Sequence, residues 1–261
     1  MSGENKTRDT VDAVTGLVKA VPIYQDAIQP AAKEIGVGLQ KTVQLALAPI
    51  SGLVWGFDKI KHFVETSVAK KLEKVPENQI KTPLPQIAGP ALEALKYTGH
   101  DEELREMFAN LLATSMDEES AKFAHPSFVE IIRQLSSDEA KICRYLKKHK
   151  NACLVNIQEI DKKQKHFRIV VRNFSNLGQD SACQFPMMIQ SYLQNLNRLG
   201  IIQFDFEGEP LERKPFEELK NHPEIQRILK TIQEDKHEAQ IDEGTIILTA
   251  FGRMFITACV E

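Results

Sequence analysis

The chain has 261 residues, of which 42% are hydrophobic and 26% charged, with a formal net charge of −3. That length suits one large domain or two ordinary ones, and the composition is that of a soluble globular protein. The near-neutral balance excludes a strong overall pull toward nucleic acid or an anionic membrane surface.

Cysteine usage and the amino terminus narrow the setting. Cys143, Cys153, Cys183 and Cys259 are widely spaced and form no C-x-x-C. They read as thiols of a reducing compartment rather than a disulfide framework or a zinc site. The opening "MSGENKTRDT" is polar and has no apolar core of a signal peptide, so a cytoplasmic location is expected.

The first 70 or so residues read as helix. Val11, Val14, Leu17, Val18 and Val21 recur at helical spacing, and so do Ile60, Phe63, Val64 and Val68. The most apolar window, "VQLALAPISGLVWGF" (Val43–Phe57), is 15 residues long. A membrane-spanning helix needs about 20, and Pro49, Gly52 and Gly56 weaken this one further. A packed apolar hairpin is one reading. The other is a segment, Ile35–Phe57, that inserts into a membrane on activation. Leu45, Leu47, Leu53, Val54, Trp55 and Phe57 would then meet lipid or a partner, with Trp55 at the interface.

"LEKVPENQIKTPLP" carries Pro76, Pro83 and Pro85 and reads as a linker. It separates an N-terminal helical segment, 1–75, from a helical core region, 76–135. In that region "PALEALKYTGH" puts Ala91, Leu92 and Leu95 on one face and ends at Gly99, a natural position after a helix. "DEELREMFANLLATSM" opens with Asp101 as an N-cap and two Glu in the first turn. Leu104, Met107, Phe108, Leu111 and Leu112 then form an amphipathic stripe.

"AHPSFVEIIRQLSSDEAKICRYL" (Ala124–Leu146) reads as helix, turn, helix. Pro126 suits a first helical turn, Phe128, Ile131, Ile132 and Leu135 give an apolar face, and Ser136 with Glu139 match the capping box S-x-x-E. His125 is a helix-opening residue rather than a base or ligand, because nothing in the sequence supplies it a partner.

From Asn151 the pattern changes. "ACLVNIQEI" and "FRIVVRNFS" are rich in β-branched and aromatic residues and read as short strands. "PMMIQSYLQNLNRLG" is helical, with Ile189, Leu193 and Leu196 on one face and Gly200 as the stop. "IIQFDF" and "GTIILTAF" read as strands around a charged, partly helical insertion at about 207–243. A last helix starts at Thr249. Helices followed by a strand pair around a loop is a winged-helix order. The fold class predicted is mainly α: an N-terminal multi-helix region followed by an α+β, winged-helix-like domain over 136–261.

No H-E-x-x-H, G-x-S-x-G, P-loop or G-x-G-x-x-G occurs, and no two of the seven His stand at i, i+4. The acidic group Asp101, Glu102 and Glu103 is explained by helix capping. No catalytic, cofactor or metal residue is therefore assigned. Nucleic acid is the more serious candidate, through Gln190, Gln194 and Arg198 on the polar side of the candidate recognition helix. "KKHK" (Lys147–Lys150) and "KKQKHFR" (Lys162–Arg168) would supply phosphate contacts. Against this, the wing "DFEGEPLE" is acidic, and Ser136–Glu261 holds as many acids as bases.

As a set, "LALAPISGLVWGFDKI", "ELREMFANLLATSMD", "AHPSFVEIIRQLSSDEA", "LQNLNRLGII" and "LTAFGRMFITAC" resemble the abortive-infection alpha family of bacteria and archaea. The matching stretches run from Leu45 to Cys259. The resemblance implies antiviral defence, in which an infected cell stops growing or dies before phage multiply. It brings no catalytic residue or cofactor to carry across. The function expected is antiphage defence through protein contacts rather than catalysis, with a phage-encoded protein or the chain itself as partner. The alternatives are a membrane-inserting effector through Ile35–Phe57 and a winged-helix DNA-binding regulator.

Overall fold

The computed structural model describes residues 54–162, 166–208 and 213–260. The chain divides into two compact units, Met1–Gln134 and Leu135–Val260. The helical pattern read over Val11–Val21, and Leu45, Leu47 and Leu53, lie outside the described residues.

In the first unit, α1 (Phe57–Phe63), a π-helical turn (Val64–Val68) and α2 (Ala69–Leu72) follow without a break. Ile60, Phe63, Val64, Val68 and Leu72 are buried, as their spacing requires. Helices α3 (Pro85–Thr98), α4 (Glu102–Met116) and α5 (Ser127–Arg133) pack against one another. All five members of the α4 stripe are buried, and Asp101 Oδ1 accepts from the Leu104 N–H at 3.1 Å.

One feature departs from the sequence reading. Helix α3 begins at Pro85, inside the stretch read as a linker, and runs through Pro90. A proline at the first helical position loses no bond. At Pro90 the usual clash with the preceding side chain is removed because that residue is Gly89, which has none. The rest of the stretch is pinned to the end of α4. The Lys81 N–H donates to Met116 O at 2.8 Å and the Glu118 N–H to Gln79 O at 2.9 Å. Gly99 stands directly after α3, as its place in the sequence suggested, with φ −61°. Its need for glycine is close approach, since a Cβ there would lie 2.3 Å from Trp55 Cδ2.

In the second unit, α6 (Ser137–His149) leads into an antiparallel hairpin of β1 (Asn151–Asp161) and β2 (His166–Phe174). A short α7 (Leu177–Asp180) and then α8 (Ile189–Arg198) precede β3 (Ile202–Asp205). Helices α9 (Lys214–Lys220) and α10 (Pro223–Glu234) lie before β4 (Glu238–Leu248), and α11 (Ala250–Cys259) closes the unit. The sheet order is β2-β1-β4-β3, antiparallel throughout. Helix α8 touches both outer strands, β2 and β3, so the sheet is curled. The fold is thus mainly helical with a C-terminal curled four-stranded sheet.

The charged insertion is largely ordered. Phe216, Leu219, Ile225 and Ile232 of α9 and α10 bury against Val155, Ile157, Val171 and Phe174. Each such side chain contributes about 1.5–3 kcal/mol of burial. Strand β4 begins at Glu238, within the stretch read as insertion. Its first residues, "EAQIDE", are too polar to look like a strand. They pair with β1, and Asp242 accepts hydrogen bonds from Gln158 and Gln240. No disulfide is formed: Cys143 and Cys259 are buried thiols, Cys153 and Cys183 are partly buried, and burial pushes the Cys143 thiol well up.

Candidate functional site

Helix α8 carries the three residues singled out for nucleic acid. Ile189, Leu193 and Leu196 bury one face, which leaves Gln190, Gln194 and Arg198 exposed at i, i+4 and i+8 on the other. Arg198 donates from Nε (3.2 Å) and Nη2 (2.7 Å) to Asn195 Oδ1. Asn195 Nδ2 donates in turn to Glu139 Oε1 at 2.7 Å. Glu139 Oε2 accepts from the Ser136 N–H (2.7 Å) and Oγ (2.9 Å), completing the capping box that starts α6.

This geometry separates the α8 face from the first basic run. Glu139, beside Asn195, is at the start of α6, whereas Lys147–Lys150 close the same helix about 15 Å further along its axis. Cations at a helix C-terminus complement its dipole, and Lys147 Nζ donates to Val260 O at 2.6 Å. In the second run, Lys162 pairs with Glu238, and Arg168 Nε bonds Glu159 Oε2 at 2.6 Å. Glu159 is buried and also bonds His237 Nδ1, so His237 and Arg168 hold its carboxyl below the usual range. His237 Nε2 lies 3.6 Å from Asp161 Oδ2. This cluster ties the end of the insertion back to β1. Among the described residues no group of three or more His, Cys, Asp or Glu could hold a metal.

The feature that the sequence did not single out is the approach to α8. Asp138 is 4% exposed and accepts four hydrogen bonds. Its Oδ1 takes the Gln184 N–H (2.7 Å) and Lys141 Nζ (3.2 Å); its Oδ2 takes the Phe185 N–H (2.9 Å) and Tyr192 Oη (3.0 Å). Burial alone would raise this carboxyl, but the two N–H groups, Lys141 and Tyr192 outweigh it and hold the group below the usual carboxylate range. Burial and then Asp138 push the Tyr192 phenol up to about 12. Gly178 fixes the loop from the other side, because a Cβ there would lie 2.6 Å from Pro186 O.

The loop that is held so firmly shows apolar groups to water. Phe185 is 59% exposed, Met187 66% and Met188 50%. Gln190, Ser191 and Gln194 continue the exposed surface along α8, and none of these six side chains is charged. Clustered exposed hydrophobic side chains mark a contact surface more often than a solvated one. The Phe-Pro-Met-Met run, Phe185–Met188, is the trace of this site in the sequence. No local rule connects Asp138 to a loop 46 residues away.

The other predicted residues have structural surroundings. Trp55 is buried, meets Phe63 edge-on at 5.6 Å, and its backbone N–H donates to Lys96 O at 2.8 Å. Phe57 is half-buried and Val54 is 40% exposed. No helix among the described residues is long and apolar enough to cross a membrane. His125 is exposed; its Nδ1 accepts from the Ser127 N–H at 3.2 Å and hydrogen-bonds Ser127 Oγ at 2.7 Å, at the entry to α5.

Comparison with known proteins adds a family to this geometry. No curated protein matches the chain. A solved structure, an uncharacterized protein from the hydrocarbon-degrading marine bacterium Alcanivorax borkumensis SK2, is similar at 18% identity and a TM-score of 0.38. The similarity covers 55% of this chain and 96% of that one. The family model described as abortive infection alpha matches residues 56–259, across both units. The chain belongs to the abortive infection alpha family.

Proposed function

We propose that this chain is a non-enzymatic antiphage protein of the abortive-infection type, acting in the cytoplasm through protein contacts. In this reading Leu135–Val260 is a winged-helix-like unit used for protein rather than DNA. One observation carries the reading: Phe185, Met187 and Met188 stand exposed on a loop fixed by the buried Asp138. A surface already ordered before binding has little ordering entropy left to lose, which favours tight contact. The family name supplies the defence setting.

The test is phage challenge of cells carrying the wild-type gene or a Phe185→Ser, Met187→Glu variant. Losing a hot spot of about 2 kcal/mol weakens a contact roughly thirtyfold. The variant should therefore lose protection while melting at the wild-type temperature. Full protection by the stably folded variant would overturn the reading. Duplex DNA binding at low salt that Arg198→Ala abolishes would replace it with the regulator.

A further inference from the structure

Alternation along β1 sends Val155 and Ile157 to the side of the sheet that α9 and α10 cover. Asn156 and Gln158 therefore face the other side, with Asp242 and Gln240 of β4 opposite them and Ile169 of β2 beside Gln158. An open hollow lies on this side, bordered by Asn156, Gln158, Ile169, Phe206 and Asp242. Phe206 directly follows β3. Its ring rests on Gly244, where a Cβ would lie 2.5 Å from Phe206 Cε1, yet the residue is 41% exposed. Asp205 Oδ1 accepts from the Glu207 N–H (3.0 Å) and the Gly208 N–H (3.1 Å), which fixes the turn that carries the ring. Gly244 and Asp242 are next neighbours on one face of β4, about 7 Å apart, so ring and carboxylate border the same space.

Asp242 brings a charge to this hollow that has no counter-ion. Its carboxylate accepts from Gln158 Nε2 and from Gln240 Nε2 (2.7 Å), both neutral amides, and among the described residues no cation pairs with it. The cations nearby are engaged elsewhere: Arg213 (3.1 Å) and Lys220 (2.6 Å) with Glu243, and Lys162 with Glu238. Arg172 is on β2, with β1 between it and Asp242. Asp205 and Glu207, on either side of Phe206, add further negative charge, and "DFEGEPLE" as a whole has no base. A carboxylate beside an exposed aromatic ring suits a cation, since the ring quadrupole and the carboxylate attract it together. A guanidinium fits better than an ammonium. Its plane stacks on the ring while its N–H groups reach the lone pairs that the amides leave on Asp242. The same acidity disfavours nucleic acid as the occupant.

We propose that Phe206 and Asp242 form a docking site for an arginine side chain on a basic segment of a partner protein, its aliphatic stem lying against Ile169. The site shares no residue with the Phe185–Met188 loop, so its failure would leave that reading intact.

The probe is a rhodamine-labelled heptapeptide, Gly-Val-Arg-Val-Arg-Val-Gly, titrated into the full chain, with counterparts carrying citrulline or Glu in place of Arg. The Arg peptide should bind saturably, the neutral citrulline peptide several-fold more weakly, and the Glu peptide at least about tenfold more weakly. Asp242→Asn keeps an oxygen for the amide donors but removes the charge, so the preference for Arg over citrulline should shrink toward one. Phe206→Leu still covers Gly244 but has no π face, and should weaken Arg-peptide binding about two- to fivefold. Bound peptide should shift the backbone amide NMR signals of Gln240–Gly244. Absence of saturable binding would overturn the proposal, as would equal binding of the Arg and Glu peptides or binding that neither substitution weakens. A dimer by light scattering that Asp242→Asn dissolves would assign the site to a second copy and overturn it too.

Discussion

From α3 to α5 the buried side chains are aliphatic or aromatic, save Ser115, whose Oγ donates to Leu112 O of its own helix at 2.7 Å. In Leu135–Val260 an apolar core is joined by buried Asp138, Glu139, Glu159 and Ser175, each bonded to another part of the chain. The contrast is clearest in two aspartates. Asp101 accepts from an N–H three residues on and starts one helix. Asp138 accepts from N–H groups 46 and 47 residues on and holds a loop. One unit is specified by shape and the other also by charge placed inside it, so substitutions that change volume and those that change charge should separate them.

The largest effect belongs to the first unit. Phe108 is fully buried in the α4 stripe. Phe108→Ala should cost about 3–5 kcal/mol by denaturant unfolding, through lost burial and the cavity left behind. Its effect should be the same at pH 4 and pH 7, because no charge is involved. Next comes Asp138→Asn. The carboxamide has one acceptor oxygen where the carboxylate has two, so at least one of the Gln184 and Phe185 N–H groups loses its partner, at a cost of about 2–3 kcal/mol. The native Asp138 carboxyl lies below its ordinary value. Its contribution is therefore complete above the unfolded pKa of about 4 and is lost as pH falls through the native value. The gap between wild type and Asp138→Asn should narrow on acidification below about pH 4. A gap that widened there would break the comparison.

The same contrast governs what could be read beforehand. The α4 stripe, the Asp101 cap, the Ser136–Glu139 capping box and the Thr249 helix start follow from neighbours in sequence, and each is present. Strands β1 and β2 followed from β-branched content. The start of α3 was hidden by its prolines, and the first half of β4 by polar residues that only make sense beside Gln158. At the candidate site, Gln190, Gln194 and Arg198 were legible because a helix face is periodic. Asp138 was legible only as an acid in a first turn, where the dipole explains it. Its real donors come from a loop that the chain brings back after a whole hairpin, and no periodicity records that return. Gly99 was placed correctly at the end of its helix, but the ring that requires glycine there belongs to a residue 44 positions earlier.

Between these extremes lies Glu139, which is both a local cap and a distant anchor. Glu139→Ala removes the acceptor of the Ser136 N–H and of Asn195 Nδ2, and should cost about 1–2 kcal/mol. Ser136→Ala removes the hydroxyl that accepts from the Glu139 N–H at 3.3 Å and donates to Glu139 Oε2 at 2.9 Å. The excess of the first over the second carries the Asn195 bond together with that of the Ser136 N–H. An excess near zero would mean that the capping box alone fixes α6, as in the first unit.

The smallest change is the cleanest test of the contrast. Asp101→Ala should cost about 1 kcal/mol, the ordinary loss for an N-cap. Its consequences should stay within the first turn of α4, because its cap bond goes to the Leu104 N–H three residues on. Amide hydrogen exchange reads this directly. In Asp101→Ala, faster exchange should be confined to Leu104 and its immediate neighbours. In Asp138→Asn, it should appear at Gln184 and Phe185, far along the chain from the substitution. If Asp101→Ala loosened residues throughout the first unit, its caps would be as long-ranged as the clamp on α8. The division between a shape-specified and a charge-specified unit would then fail.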